Sequence, residues 1–167
     1  MATLQIKNRT STVPPERTAA RIEELLAKSG ATDIRKRYEG GELRGLDFVI
    51  PTDMGVLSFR MPVDVESAFQ VMYEERRKHR SFLTGAQRVA LKEQAKRTAW
   101  RLAQDWLEVQ LSLVAMRQAE LVQVLLPYAV KNDQTFFQAF KASGFAALLP
   151  PPKADQDPDQ GDVIDAN

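Results

Sequence analysis

Apolar positions recur with two different periods along the chain. In residues 12–29, TVPPERTAARIEELLAKS, Ala19, Ile22, Leu25, Leu26 and Ser29 follow the i, i+3, i+4, i+7 spacing of one helical face. Pro14 and Pro15 suit a first helical turn, and Gly30 suits the left-handed residue that closes a helix. Ahead of it, Leu4 and Ile6 share one side of a short strand predicted over residues 3–8. After Gly30 the period drops to two. Residues 31–38, ATDIRKRY, alternate around Ile34 and Tyr38, with Arg35 and Arg37 opposite. Residues 43–50 place Leu46, Phe48 and Ile50 on one face, and residues 56–61 place Leu57, Phe59 and Met61 against Ser58 and Arg60. Gly40-Gly41 and the segment from Pro51 to Gly55 supply the reversals, so the pattern predicts a β-meander, with Gly45 at a bulge.

The period then returns to that of a helix. Asp64 is a suitable cap for a helix over residues 65–80, whose stripe is Val65, Ala68, Phe69 and Met72. The stripe stops before Arg76-Arg77-Lys78-His79-Arg80, and residues 81–85 read as a hinge. Residues 86–126 contain no Gly or Pro and are rich in Ala, Leu, Gln, Glu, Lys and Arg, which predicts one long helix from Gly85 to Pro127. Two apolar stripes run along its second half. One is Leu102, Trp106, Val109, Leu113 and Met116, and the other is Leu107, Leu111, Val114, Leu121 and Leu125. One small sheet and two short helices leave one of them without cover, which predicts a homodimer through this helix. Asp133 suits the cap of a short helix carrying Phe136, Phe137 and Phe140, a core cluster, and Gly144 ends it. Phe145, Leu148 and Leu149 are expected to fold back on the core.

These elements amount to an α+β fold: a small antiparallel β-meander with one packed helix, then a helical C-terminal half with one long helix. Residues 1–149 form one domain, with a helix-plus-sheet part at 1–62 and a helical part at 64–149. Residues 150–167 are rich in Pro and Asp, the composition of a disordered tail.

The net charge of +1 conceals a segregation. Residues 76–101 hold nine cations against one anion, Glu93, for a local charge of +8. Residues 154–167 hold five Asp and no cation, for −5. Cysteine is absent, which excludes a disulfide framework and a thiol nucleophile and fits a reducing compartment. The N-terminal ten residues lack the apolar core of a secretory signal, and the most apolar run is interrupted by Glu108, Arg117 and Glu120. A cytoplasmic protein with no membrane span is expected.

Catalysis requires a nucleophile–base pair, a metal constellation or paired carboxylates. His79, the sole histidine, lies in a run of cations with no carboxylate to orient it. Asp47 is the one strand carboxylate of the kind that ligates Mg²⁺, and it has no second acid. Gly40, Gly41 and Gly45 fit turns and a bulge rather than a phosphate loop. No catalytic residue, metal or cofactor is assigned. The basic stretch carries more chemistry. Arg88, Lys92 and Lys96 repeat every four residues, with Arg97 and Arg101 as a neighbouring row and Arg76, Arg77, Lys78 and Arg80 before them. Such a row tracks a phosphate backbone. Its structural alternative is a solvated face, or cations that meet acids elsewhere in the fold. Trp100, beside Arg97 and Arg101 and off the apolar seam, either stacks on a base or covers the sheet or a partner, whereas Trp106 lies on the seam and reads as core.

The segments IEELLAKSGATDI, LDFVI, VLSFRMP, TAWRLAQDWLEVQLSLV, LVQVLLP and ASGFAALLP follow one another in this order. Their order and spacing resemble a group of small uncharacterised proteins associated with bacteriophages and integrated mobile elements, over residues 15–150. That group has no assigned activity, so the resemblance carries over no site residue. The basic linker from Arg76 to Thr98 and the Asp-rich tail depart from its pattern. The resemblance implies a setting in which DNA transactions and counter-defence proteins are common. Two functions are therefore expected as alternatives: a non-enzymatic nucleic-acid-associated protein, or a protein–protein module, an inhibitor or assembly component, acting through the long helix.

Overall fold

The structure is a computed structural model that describes residues 5–79, 82–145 and 148. The tail from Pro150 onward, where disorder is expected, lies outside the described residues, as do Leu4, Arg80 and Leu149. The fold is α+β. Its first helix, α1 (Pro15–Lys28), starts after Pro14 with no side-chain cap. It ends in a paired turn in which Gly30 N–H donates to Ala27 O and Ala31 N–H to Leu26 O, with Gly30 at φ 96°. Three antiparallel strands follow in the order β1 (Asp33–Glu39), β2 (Glu42–Thr52) and β3 (Gly55–Arg60). The register shifts between Arg37 and Tyr38, which face Gly45 and Leu43 across the pair, so Arg44 is the extra residue of a bulge. The Arg37 guanidinium lies over Gly45, where a Cβ would stand 2.2 Å from its far end and displace that side chain.

Helices α2 (Val65–His79) and α3 (Gly85–Ala115) come next, then α4 (Leu121–Leu125), a 3₁₀ turn at Leu126–Tyr128, the hairpin β4 (Val130–Lys131) and β5 (Gln134–Thr135), and α5 (Phe136–Ala142). Two clusters hold these elements together. The larger joins Ala19, Ile22 and Leu26 of α1 to Leu46, Phe48 and Ile50 of β2, Phe59 of β3, Trp100, Ala103 and Leu107 of α3, and Leu125 of α4. The smaller joins Met72 of α2 to Leu91 and Ala95 of α3. The N-terminal half of α3 is thus packed by α2 rather than by the sheet, and the two helices run antiparallel as an arm. Trp100, the first α3 residue of the larger cluster, lies about 22 Å along the axis from Gly85.

Several expectations are corrected. Residues 5–12 are not a strand. They form a strap bound to α3 by side chains of that helix: Gln94 Nε2 donates to Arg9 O and Ser11 O, both at 2.9 Å, and Thr98 Oγ1 donates to Asn8 O at 3.2 Å. Asn8 sits at φ 62°, where Asn is among the residues best tolerated. The long helix stops at Ala115 rather than Pro127. It closes with Gln118 N–H on Leu113 O and Arg117 N–H on Val114 O, the turn that glycine ordinarily makes, here with Arg117 at φ 57°. That break lets Leu125 reach the main cluster, where Leu107 is also buried and Leu111 and Leu121 pack against them; Val114 of the same stripe is partly buried. Asp133 does not cap α5. Thr135 does, in a reciprocal pair with Gln138, and Asp133 accepts from Arg60 Nη2 at 2.8 Å. Phe136, Phe137, Phe140 and Phe145 form a satellite cluster outside the core, with Phe137 51% exposed, and Leu148 is exposed.

Candidate nucleic-acid interface

The arm's end is formed by a mismatch of patterns. The stripe of α2 continues through Val65, Ala68, Phe69, Met72 and Tyr73 and then stops. With no apolar side chain to hold them against α3, Arg76, Arg77 and Lys78 all turn to solvent. Opposite them α3 begins with Thr84, which caps it reciprocally: Gln87 N–H donates to Thr84 Oγ1 at 3.3 Å, and Thr84 N–H donates to Gln87 Oε1 at 3.0 Å. One turn later Arg88 is exposed, its guanidinium 5.4 Å from the centre of the Tyr73 ring. Lys92 follows, partly exposed. Among the described residues none of these five cations is in an ion pair. Three acids lie close to them in sequence, and Glu74, exposed on α2, accepts from Gln70 Nε2 at 2.8 Å. Glu75 is paired with Arg9 of the strap at 2.8 Å, without hydrogen-bond alignment, and Glu93 is held by Lys96 at 2.7 Å. Lys92 contributes, after Lys96 and Arg44, to holding the Glu42 carboxyl below its ordinary range.

The remaining members of the basic stretch belong to the fold. Lys96, with its side chain 13% exposed, joins α3 to β2 and to its own helix through Glu42 at 2.8 Å and Glu93 at 2.7 Å. Burial pulls its ammonium down, but the hydrogen bonds to Glu42 and Glu93 outweigh burial, and its pKa stands above the ordinary lysine value. Arg97 donates from Nε to Ser11 O at 3.1 Å and from Nη2 to Gln94 Oε1 at 2.7 Å. Arg101 pairs with Asp105 at 3.2 Å. The i, i+4 row of Arg88, Lys92 and Lys96 therefore passes from solvent into the fold as α3 approaches the sheet.

Trp100 must be withdrawn as a base-stacking candidate. It is fully buried, at 0% exposure, among α1 and β2 residues. Trp106, expected in the core, is partly buried against the main cluster and meets Tyr128 edge-on at 4.9 Å, while Val109 and Met116 of the same seam are exposed. Asp47 is similarly reassigned. It accepts from Arg60 Nε at 3.1 Å and Arg37 Nε at 3.2 Å, so two guanidinium groups occupy the carboxylate considered for Mg²⁺. Among the described residues no group of three His, Asp or Glu is placed to hold a metal ion, and no helix is long and apolar enough to cross a membrane. The His79 side chain and Arg80 lie outside the described residues.

One residue escaped the sequence reading. Phe82 lies in the connection at the arm's end, 90% exposed, while its neighbour Leu83 turns in toward Met72 and Leu91. In sequence both residues fall in the segment that reads as a hinge, 81–85. Two successive apolar residues in a short polar loop were the available signal, because successive side chains in extended chain point in opposite directions.

The strap predicts an acid response. Burial raises the Asp105 carboxyl, but hydrogen bonds from Asn8 and Lys7, with the charges of Lys7 and Arg101, bring it below its usual 3.8. Because the folded value is the lower one, this contribution is complete above about pH 4 and is lost as pH falls through the folded value. Asp64, held down by Ser67, acts in the same window. The melting temperature is expected to fall as pH drops below about 4, and Asp105→Asn to make that fall shallower. Thermal melts of both proteins across this range check it; equal slopes contradict it. No protein-family model, no curated protein and no solved structure matches the chain.

Proposed function

We propose that the chain is a non-enzymatic nucleic-acid-associated protein of a phage or mobile element that holds phosphate backbone at the end of its α2–α3 arm. The observation that carries this reading is the set of five cations, Arg76, Arg77, Lys78, Arg88 and Lys92, toward the connected ends of α2 and α3 and with no ion pair among the described residues. A fold that neutralises Lys96 and Arg101 with acids, ties Arg97 to the strap, and leaves these five without an ion pair among the described residues sustains a local positive potential that attracts a polyanion. The mobile-element setting rests on the ordered segments that resemble such proteins. The non-enzymatic reading rests on the sequence, which offers no catalytic constellation; Asp47, the one carboxylate considered there for a metal ion, is engaged by Arg37 and Arg60.

The test is a titration of labelled single- and double-stranded oligonucleotides at several salt concentrations. Arg76→Ala or Arg88→Ala should weaken binding to all sequences alike and flatten the slope of log K against log salt by about 0.7–0.9 each. Lys96→Ala should leave that slope unchanged and cost about 1 kcal/mol of stability, because its partners remain solvent-accessible. Equal effects from both sets would contradict the division between arm end and fold.

The alternative, a protein–protein module acting through the long helix, is favoured by Val109, 56% exposed, and Met116, 70% exposed, at the far end from the cations. Binding of a protein or a second copy there is compatible with the arm's free end.

A further inference from the structure

We propose that the arm's end takes single-stranded nucleic acid, with Phe82 stacking on an unpaired base. This rests on the phosphate-binding role proposed above and narrows its ligand. Phe82 is 90% exposed, and no other ring among the described residues packs against it. An apolar ring held in water is poised for a flat apolar partner, and every base offers one. Cations flank it on both sides: Arg76, Arg77 and Lys78 on α2, and Arg88 on α3. Arg88 is steadied over Tyr73 at 5.4 Å, which limits the conformations its guanidinium must lose on meeting a phosphate.

The shape of the end selects the single strand. Two antiparallel helices, each about 10–12 Å across with side chains, present an end roughly 20 Å wide. The major groove of duplex DNA is about 12 Å wide, so this end touches a duplex only along its phosphates and Phe82 finds no base face. A single strand brings phosphates and splayed bases to the same surface. A membrane surface fits less well, because an interfacial helix needs a continuous apolar face, and here one ring stands among cations.

Fluorescence anisotropy with labelled oligothymidine and a duplex of equal length, at matched low salt, tests the inference. The intact protein should bind the single strand about ten-fold more tightly than the duplex. Phe82→Ala should lower single-strand affinity about ten-fold, leave duplex affinity and the salt slope unchanged, and leave the melting temperature unchanged because the ring is exposed. Phe82→Trp should restore or exceed the original affinity, and Phe82→Leu, apolar without a ring, should behave like alanine. Single-strand binding indifferent to Phe82→Ala, or restored by leucine, would overturn the stacking role and leave the phosphate role standing. Failure of the intact protein to bind either nucleic acid would overturn both. Phe82-dependent binding to phosphatidylserine vesicles, without Phe82-dependent strand binding, would assign the ring to a membrane surface and overturn the inference.

Discussion

Trp100→Ala lowers the melting temperature by about 6–20 °C and leaves nucleic-acid binding unchanged at temperatures where the variant is folded. The ring is fully buried where α1, β2 and α3 meet, with Ile22, Leu26, Leu46 and Leu107 in the same cluster. Removing a buried Trp side chain costs about 3–5 kcal/mol through lost transfer energy and the cavity left behind. For a domain of this size each kcal/mol moves the midpoint by about 2–4 °C. The indole N–H has no hydrogen-bond partner among the described residues. Trp100→Phe, which discards that buried donor along with part of the volume, should therefore cost less than half as much as alanine. Thermal melts of the three proteins decide it. A Trp100→Ala melt within 2–3 °C of the original (on the order of 1 kcal/mol) would mean that the ring lies at the surface.

Replacing Arg76, Arg77, Lys78, Arg88 and Lys92 together with Gln lowers affinity for a single strand by at least about a hundred-fold at low salt. Each phosphate contact contributes about −0.7 to the single-strand slope, so five contacts correspond to roughly −3.5 and their removal to a slope near zero. Folding should be little affected, since Arg76, Arg77, Lys78 and Arg88 are exposed and single surface changes of this kind stay within about 0.5 kcal/mol. Relief of repulsion among neighbouring cations offsets some of the Arg88–Tyr73 contact that is lost. The salt-dependent titration and a melt on the same sample check both halves. A slope unchanged by the five substitutions would place the contacts elsewhere on the protein.

The meander was legible in the sequence because its alternation sets one face firmly: Leu46, Phe48 and Ile50 are all buried, as the period of two required. Helix α1 was legible for the same reason, with Gly30 as its stop. The failures share a cause as well. They occur where a side chain takes a distant partner that no local pattern announces. Arg97 and Gln94 look like a solvated face until residues 5–12 lie across them. Lys96 looks free until β2 brings Glu42 to it, 54 positions away in sequence. The end of α3 could not be read because its stop is Arg117 in a left-handed turn, a conformation sequence reasoning reserves for Gly or Asn. Trp100 was misplaced because both faces of α3 are apolar around it, and only the positions of α1 and the sheet decide which is innermost. Of the candidate interface, the cations at Arg76, Arg77, Lys78, Arg88 and Lys92 were legible from charge alone; Phe82 was not.

The central claim is a location as much as an affinity: a nucleic-acid strand meets the protein at the end of the α2–α3 arm. Backbone amide shifts of the isotope-labelled protein, followed while a short oligothymidine is added at low salt, test that location directly. The account predicts perturbations concentrated at residues 73–79 and 82–92, reversed by added salt, with the sheet and α5 undisturbed. No shifts at submillimolar strand, or shifts centred on the sheet or on α5, would contradict it.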